Sequence, residues 1–226
     1  MTPYYDHAGV TIYHGDAREI VPQLDEYTVV VTDPPWKTKK LVKIAGSDRP
    51  EALLGEVSAL WGKAARAVVV LGDTSDQRII SAVRGPGEYL RCGVIERVPP
   101  SYRGSVLSLG WIFHVFGAGF LSGNGHRVLS GHGRAASRAD DRFDHLHPAS
   151  MSIEAAKWLI AYYTRPADCV LDPFMGTGAI VVAAKYGGRE AIGIEICEAY
   201  CEIAARRCRQ EVLPFDGAPS PRRVSG

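Results

Sequence analysis

Short unbroken apolar runs alternate along the chain with segments whose apolar residues recur every three or four positions. Val29, Val30 and Val31, between Thr28 and Thr32, form a β-branched run with no polar face, as in a strand buried on both sides. Comparable runs predict strands over 10–13, 67–71, 169–171 and 191–194, and two β-leaning segments over 89–98 and 106–116. The helical period predicts helices over 17–24, with Asp16 as N-cap, over 50–64, with proline at the first position, and over 74–83. It predicts three more: one entered at Met151, with Ile153, Ala156, Ile160 and Tyr163 on one face, and others over 178–186 and 197–210. Strands alternate with helices nearly throughout. That pattern predicts an α/β fold, a parallel sheet with helices on both faces, in a single domain over 1–213.

Two segments break the alternation. Residues 117–147 are rich in glycine, arginine and histidine and have no apolar period, and a stretch of that length inside a domain is expected to be functional or mobile. Residues 214–226 are rich in proline, serine and arginine and are expected to be a disordered tail. No run approaches the roughly 20 apolar residues of a membrane span, and residues 1–18 hold no sustained apolar run, so neither a span nor a signal peptide is expected. The five cysteines, Cys92, Cys169, Cys197, Cys201 and Cys208, are odd in number and lack a C-x-x-C pair. They are expected to be core or boundary residues in a reducing cytoplasm, with no metal site.

Charge changes the picture only through its placement. The 226 residues carry 26 basic and 25 acidic side chains, net +1, so bulk charge announces no nucleic-acid partner. Yet Lys37, Lys39, Lys40, Lys43 and Arg49 are opposed only by Asp48, and residues 97–139 hold five arginines (97, 103, 127, 134 and 138) and no acid. Two basic zones hide inside a near-neutral total.

Candidate chemistry gathers at three strand ends, where parallel sheets bind ligands. The first is V-L-D-P-F-M-G-T-G-A at 170–179: a buried strand ends in Asp172 and a turn with Gly176 and Gly178 leads into a helix, whose N-terminus favours an anionic group. The turn is not G-x-G-x-x-G, so the dinucleotide fingerprint is absent. The second is A-I-G-I-E at 191–195, where Glu195 follows Gly176 by 19 positions, a spacing suited to ribose hydroxyls. The third is T-D-P-P-W at 32–36. Its prolines end the strand because they lack the N–H that a ladder needs. Asp33 then offers a carboxylate beside the flat indole of Trp36, a pairing suited to a planar group with an exocyclic amine.

Taken together, these features resemble the S-adenosylmethionine-dependent amino-methyltransferases that act on adenine or cytosine in DNA, in the permuted group where the catalytic motif precedes the cofactor motif. Y-H-G-D-A-R-E at 13–19, H-P-A-S-M-S at 147–152 and the closing segment from Gly193 to Arg206 add to the likeness. The resemblance implies a circularly permuted, Rossmann-like class I methyltransferase fold with a mostly parallel seven-stranded sheet. It implies S-adenosylmethionine held by Asp16, His147, Ser150, Asp172, Pro173, Phe174, Gly176, Thr177, Gly178, Glu195 and Ile196. The family often has a Lys-Pro pair in the His-Pro segment; here Ser150-Met151-Ser152 stands there, and its serines are equally suited to capping a helix.

The catalytic loop implied is Asp33, Pro34, Pro35 and Trp36. Asp33 and the Pro34 carbonyl would accept hydrogen bonds from the target amine, and Trp36 would stack on a base flipped from the duplex. Lys37, Lys39, Lys40, Lys43, Arg127, Arg134 and Arg138 are the expected phosphate contacts, and 117–147 the recognition element. That element is small, so specificity is expected to be short, loose or dependent on a homodimer. An initial Asp in the motif leans to adenine-N6. Cytosine-N4 and RNA adenosine are the rival substrates, and restriction–modification is the expected setting. A nicotinamide-dependent oxidoreductase would leave D-P-P-W without a role.

Overall fold

The computed structural model describes residues 1–36, 46–73, 75–103, 106–117, 132–136 and 151–210. Among the described residues, nine strands form one sheet: β1 (Tyr5–His7), β2 (Val10–His14), β3 (Val29–Thr32), β4 (Arg66–Gly72), β5 (Tyr89–Arg103), β6 (Val106–Gly117), β7 (His132–Ala136), β8 (Cys169–Asp172) and β9 (Glu190–Glu195). Their order is β1-β2-β9-β8-β3-β4-β6-β5-β7. The pairs from β2 through β9, β8 and β3 to β4 are all parallel. β6 runs antiparallel between β4 and β5.

The sheet exceeds the seven strands expected, because a short strand extends each edge. β1 is a three-residue hairpin partner of β2, entered through Ala8 and Gly9 at positive φ, and too short to show a period. β7 lies within the stretch expected to be structureless and pairs with β5 from Val94 to Val98.

Among the described residues, five α-helices flank the sheet: α1 (Ala17–Ile20), α2 (Pro50–Ser58), α3 (Ile153–Tyr163), α4 (Ala179–Tyr186) and α5 (Glu198–Arg209). Asp16 caps α1, accepting the Arg18 N–H at 2.8 Å. Three predicted helices are shorter than expected. The first gives way to a 3-10 turn over Val21–Gln23, where Pro22 cannot donate to the helix. The second stops at Ser58, ahead of a buried Trp61 and of Gly62, whose backbone entropy disfavours continuation. The predicted 74–83 helix is a 3-10 helix over Gln77–Ala82, capped by Asp76.

The strands divide their side chains between two cores with period two. Val29, Val31, Val68 and Val70 join the core under α3, α4 and α5. Val30, Ala67, Val69 and Leu71 join Leu54, Val57 and Trp61 on the opposite face. Each valine of β3 is at most 2% exposed, so each contributes roughly 1.5–3 kcal/mol of burial. The stability of β3 is therefore secured before its last residue, and the chain that leaves it is free for chemistry.

Candidate active site

The sheet changes direction between β8 and β3. β9 continues one way from β8, β4 the other way from β3, and a crevice opens at the carboxyl edge, as expected for a switch point. A cleft of about 300 Å³ occupies it, lined by the turn after β8, the end of β9, the start of α1 and the loop after β3.

The turn after β8 is built on glycine conformations. Gly176 and Gly178 have φ of +54° and +87°, where a side chain would be strained. A Cβ on Gly178 would also sit 2.8 Å from the Ala204 Cβ, so glycine lets α4 start hard against α5. The Met175 N–H donates to the Ile194 carbonyl at 2.9 Å, tying the turn to β9. Gly193 lacks the side chain that would collide with the Met175 sulfur. Thr177 is buried, and its carbonyl and hydroxyl both accept from Arg207, at 2.8 and 3.1 Å.

Two carboxyls stand behind this turn. Asp172 is buried, and its Oδ1 accepts from Thr32 Oγ1 at 2.7 Å and from the Phe174 N–H at 3.2 Å. Burial pushes it up to about 7, against the downward pull of those two donors. Glu195 ends β9. Its Oε2 accepts the Gly176 N–H and its Oε1 the Cys197 N–H, both at 2.8 Å. Burial raises it too, while the backbone donors lower it. Each oxygen can accept a second bond, so Glu195 clamps the glycine turn and keeps acceptor capacity toward the cleft. Ile196, half exposed, forms an apolar rim beside it.

On the α1 side, Asp16 takes a bidentate hydrogen bond from Arg18, which holds its carboxyl below the ordinary range. Arg18 also reaches Glu56 at 3.0 Å, linking α1 to α2. The T-D-P-P-W loop closes the cleft from β3. Thr32 and Pro34 are buried, whereas Asp33, Pro35 and Trp36 are half-buried and line the cleft. Gly46 brings the chain back at φ +81°, with Pro35 and Leu53 where its Cβ would stand.

The structure thus gathers Asp16, Asp33, Pro34, Pro35, Trp36, Asp172, Pro173, Phe174, Gly176, Thr177, Glu195 and Ile196 around one cleft. Gly178 sits just behind as the α4 cap. Ser152 caps α3, its hydroxyl accepting the Ala155 N–H at 3.2 Å, while Met151 faces the cleft. His147 and Ser150, as well as Lys37, Lys39, Lys40, Lys43, Arg127 and Arg138, lie outside the described residues, and so do 214–226. Arg134 falls in β7, described by its backbone pairing alone. Arg97 of the second basic zone stacks on Trp111, 4.5 Å from the ring centre.

Sequence reasoning missed Arg18, Leu53, Tyr200 and Arg207. Arg18 alone carried a local signal, two residues past the acid it binds. Cys201 and Cys208 are buried in the core and Cys197 opens α5.

Residues 116–206 match the family described as DNA methylase, of the N6/N4 type. The chain is 33% identical over 87 residues to the orphan methyltransferase M.BamHII of Bacillus amyloliquefaciens, covering 38% of this chain and 32% of that protein. It is 41% identical over 61 residues to the putative methylase YubD of Escherichia coli, 27% of each. The matches thus span less than a third of those relatives' length. Among solved structures, the M1.HpyAVI–SAM complex superposes with a TM-score of 0.65 at 23% identity, over 89% of this chain and 100% of the other. The cytosine-N4-specific PvuII DNA methyltransferase superposes at 0.66 and 15% identity, over 93% and 90%. Residues 116–206 thus resemble the N6/N4 DNA methylase family, and the chain as a whole shares the class I methyltransferase fold of those solved structures.

Proposed function

We propose that this chain transfers a methyl group from S-adenosylmethionine to the exocyclic amino nitrogen of adenine in DNA. The observation that carries the reading is that the D-P-P-W loop and the turn from Asp172 to Thr177, more than a hundred positions apart in sequence, line one cleft. The cleft's donor set suits the cofactor. Glu195 keeps lone pairs for ribose hydroxyls, Asp16 offers a second carboxylate, Phe174 and Ile196 supply apolar surface, and the open start of α4 favours a carboxylate. When bound, S-adenosylmethionine supplies an electrophilic methyl group.

The protein's own work is on the nucleophile, whose lone pair is delocalised into the base. Asp33 accepts one amino hydrogen, and the Pro34 carbonyl, aimed by two prolines, accepts the other. The two acceptors localise the lone pair and stabilise the positive charge that grows on nitrogen. Trp36 holds the base plane by stacking. The base reaches this loop only after leaving the duplex, at a cost of a few kcal/mol, which contacts between the two basic zones and phosphates help offset.

Adenine is favoured by the initial Asp33 of the motif. The test is labelled-methyl transfer to mixed-sequence DNA followed by nucleoside analysis. N6-methyladenine is the expected product. N4-methylcytosine would replace adenine by cytosine, and label entering RNA but not DNA would overturn the DNA reading.

A further inference from the structure

The backbone ladder between β8 and β3 contains just two paired positions, Val170 with Val29 and Leu171 with Val30. Beyond Leu171 and Val30 the strands part to make the cleft. β8 runs into the glycine turn and α4, and β3 into D-P-P-W. At the level where main-chain pairing stops, side chains take over. Thr32 Oγ1 donates to Asp172 Oδ1 at 2.7 Å, and the same oxygen accepts the Phe174 N–H at 3.2 Å. Thr32 and Asp172 are 0% and 1% exposed, so water does not compete for this bond.

The residue type at 32 is informative. Val29, Val30 and Val31 precede it, and a fourth valine would satisfy both burial and β propensity. A hydroxyl in a buried strand end is costly unless it is bonded, and here its bond reaches across the cleft floor. Asp172, in turn, spends the oxygen nearest β3 on the neighbouring strand and on the first bend of its own turn. It lines the cleft with Glu195 and Asp16, but at 1% exposure its Oδ1 is committed to Thr32 and the Phe174 N–H.

We infer that Thr32 and Asp172 are a positioning pair, a side-chain strut that joins the catalytic loop to the cofactor turn, so that filling the turn orders the loop. What fills the turn rests on the function proposed above; the strut itself rests on the geometry alone. Oδ1 accepts from Thr32 whether or not Oδ2 carries a proton, so the strut persists in both forms of the acid.

The test uses the full chain with Thr32→Val, which removes the donor at nearly constant volume, and Thr32→Ser, which restores it. Amide hydrogen exchange is followed in 29–36 and 170–178, with S-adenosylmethionine as the probe. In the wild type and in Thr32→Ser, the probe slows exchange in both segments. In Thr32→Val it slows exchange in 170–178 alone, and methyl-transfer turnover falls about tenfold while cofactor affinity changes far less, as expected for one lost bond to a buried carboxyl. Equal protection of 29–36 in Thr32→Val and wild type overturns the strut.

If the wild type binds no S-adenosylmethionine, the proposed function fails and the strut is judged without ligand. Thr32→Val must then exchange faster than Thr32→Ser at both strand ends, and equal rates overturn it. Should Thr32→Val not fold, Asp172→Asn decides, since its amide oxygen still accepts. Coupling between the segments persists in that variant if the strut is real, and its loss overturns the proposal.

Discussion

Asp172 and Asp33 are both strand-end acids, yet burial gives them different work. Asp172 is fully enclosed and pushed up to about 7 from an ordinary value of 3.8. Below about pH 4 it is neutral folded and unfolded. Between about 4 and 7 the unfolded chain loses this proton while the folded chain keeps it, so the acid's contribution to stability falls as pH rises. Above 7 it is ionised in both states and the loss is complete. Asp172→Asn removes this dependence. Its stability relative to wild type is expected to improve between pH 5 and pH 8, as read by urea denaturation at both values, and a pH-independent difference would refute the raised acid. Asp33 lines the cleft, and on the proposed function it touches the amine. Asp33→Ala is expected to lower methyl transfer by about 100-fold or more while calorimetry shows cofactor binding nearly intact. Retained transfer would remove the assigned role.

At the scale of elements, the start of α4 is the sensitive point. Gly178 combines φ +87° with a Cβ position 2.8 Å from Ala204, whereas Gly188, at φ +70°, has nothing within 4 Å. Gly188→Ala therefore meets backbone strain alone, about 1 kcal/mol, and Gly178→Ala adds displacement of α5, for a total of roughly 2–4 kcal/mol. Urea midpoints of the two variants check the order, and equal losses would show that α5 gives way freely. These elements were legible to different degrees. β3 and β8 were readable because a buried parallel strand is a continuous apolar run. β1 and β7 were not, because three or five residues of mixed polarity have no measurable period. α2 was overextended because a helical apolar period continues to Trp61, which reaches the core from a turn instead.

For the whole molecule, near-neutral net charge leaves the affinity for DNA that the proposed function requires to local zones. On the proposed function, the Lys39→Ala, Lys40→Ala double variant weakens binding to all duplexes alike and lowers the salt slope by about one to two. Anisotropy of a labelled duplex across a salt series measures this; an unchanged slope would take the first zone out of the footprint. The alternation of strand and helix, the three acid-bearing strand ends and the order of the two motifs were set by sequence alone, since each is carried by neighbours a few positions apart. Only the tertiary structure decided that β3 lies beside β8, that Arg18 bridges Asp16 to Glu56, that Arg207 holds Thr177, and that Asp172 bonds Thr32. Those contacts join residues tens to more than a hundred positions apart, and they are chosen by which faces the sheet buries, a quantity that no local period encodes.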